Sequence, residues 1–152
     1  MRICKCLIAI LLIITLIPVH AFASQNIDAP ENIVYYDDGS YLVINTTISD
    51  ARVGFTRNAV REYTYYASNG DTKWVATLKA TFTYDGTSCT CASSSLFVNI
   101  LDDAWYIVSK DEVKSGNTAT GELTMGYKFL GITTTKKTVS MRITCDKDGN
   151  LS

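Results

Sequence analysis

Between residues 73 and 84 the chain alternates strictly enough to define a strand. Trp74, Ala76, Leu78, Ala80, Phe82 and Tyr84 fall on one side. Lys73, Thr77, Lys79, Thr81 and Thr83 fall on the other, with Val75 the one apolar residue out of phase. A period of two gives one buried and one solvated face. The same pattern returns at 118–129, where Ala119, Gly121, Leu123, Met125, Tyr127 and Phe129 oppose Thr118, Thr120, Glu122, Thr124, Gly126 and Lys128. It returns again at 138–145, with Val139, Met141, Ile143 and Cys145 in phase.

Turn residues punctuate these runs. Asp37-Asp38-Gly39-Ser40, Ser68-Asn69-Gly70-Asp71 and Asp85-Gly86 each separate two apolar stretches. Asn-Gly and Asp-Gly are hairpin signals because the turn demands positive φ. Further strands are expected at 33–36, 41–48, 61–67, 89–101 and 104–109. Residues 110–117 read as a polar loop and 131–137 as a Thr- and Lys-rich connection. Residues 49–60 read as a loop or irregular strand, a short helix being the alternative. The pattern therefore predicts an all-β fold: an antiparallel meander of about seven to eight strands in one sandwich-like or barrel-like domain, with no helix longer than about three turns.

The N-terminus follows a different rule. Arg2 and Lys5 precede an apolar run at 6–17 broken by Pro18, and Ala21-Phe22-Ala23 gives a small-residue cleavage site. This is the pattern of a secretory signal peptide, and the run is shorter than the roughly 20 residues that span a bilayer. The expected organisation is a signal peptide at 1–23, a polar tail at 24–32 and a β domain at 33–152. Release to the exterior without a stable membrane anchor follows from it.

Cleavage changes the chemical inventory. The one histidine, His20, lies in the segment to be removed. A chain without imidazole has no Ser-His-Asp or Cys-His nucleophile system and no His-bearing zinc or copper site. No cofactor or metal site is expected. Residues 24–152 carry 12 basic and 15 acidic side chains, a net charge of −3, which does not suit a nucleic-acid binder. Asp146-Lys147-Asp148-Gly149-Asn150 offers oxygen ligands, but its glycine comes fourth and no glutamate follows, so it reads as a polar turn rather than a calcium loop.

Three cysteines remain: Cys89, Cys91 and Cys145. Cys89 and Cys91 point the same way in a strand, at a spacing that strains a mutual bridge. A disulfide from this pair to Cys145 is expected, with Cys91 the favoured partner and Cys89 the alternative. Adjacent tyrosines mark candidate binding aromatics at Tyr35, Tyr36, Tyr65 and Tyr66, because consecutive residues in a strand expose at least one ring; cross-strand packing is the competing use. The carboxylate pairs Asp37-Asp38, Asp102-Asp103 and Asp111-Glu112 alternate faces, so none is by itself a hydrolytic dyad.

Several segments resemble a set of small secreted proteins of Gram-positive, clostridial-type bacteria: YYDDGSYLV at 35–43, YTYYASNGDTKWVATLKATFTYDGTS at 63–88, SGNTATGELTMGYKFLGIT at 115–133 and TVSMRITCDKDGNLS at 138–152. The resemblance implies a secreted single domain and brings no mechanism or site residues with it. Non-enzymatic binding of an extracellular glycan or protein is the function expected. A membrane-active toxin, from the alternating Thr-rich strands, and a carboxylate-based hydrolase are its rivals.

Overall fold

The computed structural model describes residues 32–50 and 55–152. The expected signal peptide, and the tail up to residue 31, lie outside them. Eight strands follow one another: β1 (Asn32–Tyr35), β2 (Tyr41–Asp50), β3 (Thr56–Tyr66), β4 (Thr72–Tyr84), β5 (Cys89–Ile100), β6 (Trp105–Ser115), β7 (Thr118–Phe129) and β8 (Ile132–Thr144). Each pairs antiparallel with its sequence neighbour, except that the ladder breaks between β5 and β6. The result is a five-stranded sheet, β1 to β5, faced by a three-stranded sheet, β6 to β8.

The fold is sandwich-like, and the barrel-like alternative is corrected: the two sheets do not close. At the β5–β6 border the contact is made by side chains instead of a ladder. Lys110 and Lys114 reach the carbonyls of Leu96 and Ala92, and Ser94 bonds Glu112. At the other border Arg61 of β3 donates to the Arg142 carbonyl of β8.

The alternating faces are the inner ones. Trp74, Leu78 and Phe82 from β4 meet Leu123 and Met125 from β7 and Met141 and Ile143 from β8, all fully buried. Removing apolar area of this kind from water is the main favourable term in such a fold.

Three local readings are corrected. Residues 110–115 are strand, not loop. They lie on β6, whose side chains are mostly exposed on both faces, so no alternation marks them. Residues 132–137 are likewise strand, the first half of β8, where both faces are largely open. Of residues 49–60, 49–50 end β2 and 56–60 begin β3 as regular ladder; residues 51–54 lie outside the described set.

Candidate binding cleft

A meander with this order gathers the β1–β2, β3–β4, β5–β6 and β7–β8 turns at one end of the sandwich. A cleft of about 420 Å³ opens there, lined by Asp38, Ser40, Tyr65, residues 67–69, Lys73, Asp102, Trp105, Tyr127 and Thr135. That volume lies within the range of small-molecule sites.

The floor is aromatic. Tyr65 stacks on Trp74 with ring centres 5.1 Å apart, and the edge of Trp105 meets Tyr65 at 5.1 Å. Tyr127 leans on Trp105 at 5.4 Å. Tyr36 adjoins the cluster 6.0 Å from Tyr65, with the Lys137 ammonium 4.0 Å from its ring centre. Inward phase in β3, β4 and β7 brings most of these rings together, so each strand supplies one through plain alternation.

Two ion pairs form the walls. Asp38, in the β1–β2 turn, accepts from Lys137 Nζ at 2.8 Å and from the Ser40 backbone N–H at 3.1 Å. Lys137 first, then the Ser40 hydroxyl, which also donates to it, hold its carboxyl down to about 2. Asp102, in the β5–β6 turn, accepts from the Ala104 backbone N–H at 2.9 Å and from Lys73 Nζ at 3.1 Å. The Ala104 amide and then Lys73 hold it below the ordinary carboxylate range. Lys73 is raised in turn, chiefly by its bond to Asp102. Both carboxylates are thus charged acceptors at neutral pH. A general acid in glycoside hydrolysis needs the opposite shift, a carboxyl that stays protonated.

The four expected binding aromatics divide between two faces. Tyr65 lines the cleft and Tyr36 stands beside it. Tyr35 and Tyr66 lie on the outer face of the larger sheet, where Tyr41 joins them: Tyr35 packs on Tyr41 at 5.8 Å, and Tyr41 stacks on Tyr66 at 4.8 Å. Cross-strand packing occupies the faces of Tyr41 and Tyr66, while Tyr35 remains 72% exposed at the sheet edge.

No disulfide joins the three cysteines in this structure. Cys89 and Cys91 do share the inner side of β5, but the thiol near Cys145 is that of Cys89, and the Cys145 thiol itself donates to the Asp146 carbonyl at 3.4 Å. Cys91, the favoured partner, instead points its thiol at the Ser93 carbonyl. A register shift between Thr81 and Phe82, where β4 meets β5, turns both Cys91 and Cys89 to that inner side. Burial, with the neighbouring Cys89 thiol, pushes Cys145 up to about 12, and burial also raises Cys91.

The Asp146 carboxylate is engaged by its own turn. It accepts from the Asp148 and Asn150 backbone N–H groups and from the Asn150 side-chain amide, at 2.8–2.9 Å. Lys73, Ser68 and Asn69, which line the cleft, and Lys137, which pairs with Asp38 behind it, are residues that sequence reasoning missed. The paired-carboxylate motifs were the available signal for their partners, and nothing in the sequence pairs Asp38 with a lysine ninety-nine residues away.

The fold and cleft together define a class: an open two-sheet antiparallel sandwich with an aromatic-floored, ion-pair-walled cleft at its turn-rich end. No protein-family model, curated protein or solved structure matches the chain.

Proposed function

We propose that the protein is an extracellular, non-enzymatic binding module whose end cleft receives one or two units of a glycan. The observation that carries the reading is the cleft itself: aromatic rings beneath two carboxylates, each paired with a lysine. Sugar hydroxyls donate to carboxylates and accept from ammonium groups, while the apolar face of a pyranose suits aromatic edges. Two carboxylates held charged are suited to accepting hydrogen bonds and ill suited to protonating a leaving group, which favours binding over hydrolysis. The rival membrane-active toxin drew on strands able to close into a barrel, and two open sheets give that reading no support. Export rests on the signal-like pattern at 1–23.

The test is a soluble-glycan panel read by tryptophan fluorescence, since Trp105 lines the cleft. At least one glycan is expected to shift the emission saturably, and Asp102→Asn is expected to weaken it at least about tenfold, the effect of losing one charge-assisted hydrogen bond. A panel that leaves the emission unchanged overturns the glycan assignment. Turnover of any panel member overturns the non-enzymatic one.

A further inference from the structure

The turn between β7 and β8 is built against its own conformational preference. Two residues, Leu130 and Gly131, make the connection, with φ of 51° and 81°. Positive φ at both central positions is the type I′ requirement, which asparagine or aspartate followed by glycine meets with little strain. Leu130 is the one non-glycine residue with positive φ among the described residues. A leucine there costs backbone energy and recovers none by packing, because it is 86% exposed. Its neighbours across the turn, Phe129 and Ile132, are 59% and 69% exposed. Three large apolar side chains thus project at the tip of one hairpin, where turn chemistry and solubility both favour polar residues.

The hairpin behind the tip is basic. Residues 123–145 contain Lys128, Lys136, Lys137 and Arg142 and no acid. Lys137 is committed to Asp38. Lys128 lies over the Tyr106 ring, 4.4 Å from its centre, and the Tyr106 hydroxyl meets Thr133 at 2.6 Å. Apolar residues at the point, with a tyrosine and lysines one step behind, form the sequence of layers that an acyl–headgroup boundary accommodates. The turns beside the hairpin are acidic: Asp38 is paired with Lys137, while Asp71 and Asp102 share Lys73, which leaves one of their two charges uncompensated. Asp37 and Asp103 oppose the hairpin's charge from the flanks, which favours an approach in which the tip leads.

We propose that the β7–β8 tip docks the protein on an anionic lipid surface, with Phe129, Leu130 and Ile132 entering the interface and Lys128 and Lys136 facing the headgroups. A protein partner fits less well, since a narrow convex tip offers no broad apolar area to cover. Docking of this kind is shallow and reversible, and it is independent of the cleft reading.

Co-sedimentation of the purified protein with vesicles of phosphatidylcholine, with and without phosphatidylserine, tests it. Wild type is expected to sediment with the phosphatidylserine vesicles, less with phosphatidylcholine alone, and less at high salt. Leu130→Asn relieves the backbone and removes the apolar group, so binding is expected to fall about tenfold or more while the thermal midpoint holds or rises. Ile132→Ser is expected to weaken binding in the same way, and Asp102→Asn, a cleft change, to leave it undiminished. No sedimentation with either vesicle, or equal sedimentation of Leu130→Asn, overturns the proposal. So does a dimer in solution that Leu130→Asn converts to monomer without any vesicle binding, which assigns the tip to a second copy of the chain.

Discussion

Oxidation is expected to join Cys89 to Cys145 and to leave Cys91 a thiol. The two thiols are neighbours, one at the start of β5 and the other just beyond the end of β8. With glutathione disulfide as oxidant, Cys89, the more accessible thiol, first forms a mixed disulfide and releases one glutathione. Cys145 then attacks the protein-side sulfur and releases the second. Closing the loop between residues 89 and 145 removes unfolded-state entropy worth about 4 kcal/mol in the chain-entropy model. For a domain of this size that corresponds to a rise of roughly 10–20 °C in thermal midpoint. The resolving step is slow at neutral pH, because burial raises the Cys145 thiol, and the thiolate is the nucleophile. The rate should therefore climb with pH across the neutral and mildly alkaline range. The assay is a melting curve before and after oxidation for wild type, Cys89→Ser and Cys91→Ser, with peptide mapping of the unreduced protein. Wild type and Cys91→Ser should gain stability and Cys89→Ser should not. A mapped Cys91–Cys145 peptide, or oxidation that leaves the wild-type midpoint unmoved, refutes the reasoning.

Leu123→Ala should cost about 2–5 kcal/mol in denaturant unfolding, because the side chain is fully buried between the sheets and its removal leaves a cavity; a cost under about 1 kcal/mol would show that the sheets can collapse onto the gap. Gly126→Ala should be destabilising by about 1–3 kcal/mol, since a Cβ there would lie 2.6 Å from the Tyr106 ring and must displace it; an unshifted Tyr106 resonance in the variant would contradict this. For Asp38, a folded value near 2 against an ordinary 3.8 means that its ion pair stabilises above about pH 4 and loses that contribution as pH falls towards 2. With the side chain half exposed, screening keeps the contribution below about 1 kcal/mol. Midpoints of wild type and Asp38→Asn should therefore differ at pH 6 and converge near pH 2, and a difference that persists there would count against the pairing.

What the sequence made legible was whatever carried a buried face. β4, β7 and the second half of β8 alternate because one side meets the opposite sheet, and they emerge in phase from the text alone. β6 and the first half of β8 did not, since side chains exposed on both faces are under no requirement to alternate. Leu130-Gly131 escaped as a turn for a related reason: its first residue is not one that the turn type selects. In the cleft, Tyr65 could be flagged from adjacent tyrosines, but its partners arrive from four other strands. Pairing Lys137 with Asp38 depends on the smaller sheet lying across the larger one, a relation that no local pattern encodes.

The two ends of the sandwich differ in that one adds paired charges to its backbone links, and this bears on where function can reside. At the end opposite the cleft, backbone groups join the turns among the described residues. The Cys91 N–H donates to the Gly116 carbonyl and the Cys145 N–H to that of Asn117, whose side-chain amide donates back to the Cys145 carbonyl. The Gly86 N–H reaches the Lys147 carbonyl, and Thr144 and Ser152 exchange both backbone bonds. Gly149, with φ of 84°, lies where a Cβ would enter the Tyr84 ring, so the final turn packs backbone directly on an aromatic face. Bonds of this kind cannot rearrange without exposing unsatisfied amides. At the cleft end, the Leu101 and Asp102 N–H groups reach the Lys73 carbonyl and the Lys128 N–H that of Ala104, and to these are added side-chain ion pairs, Lys137 to Asp38 and Lys73 to Asp102. Such pairs contribute little to stability individually and can exchange partners with a ligand at small cost. The sealed end can therefore hold the strands in register while the charged groups of the open end turn to a ligand, which is the division that a binding module requires.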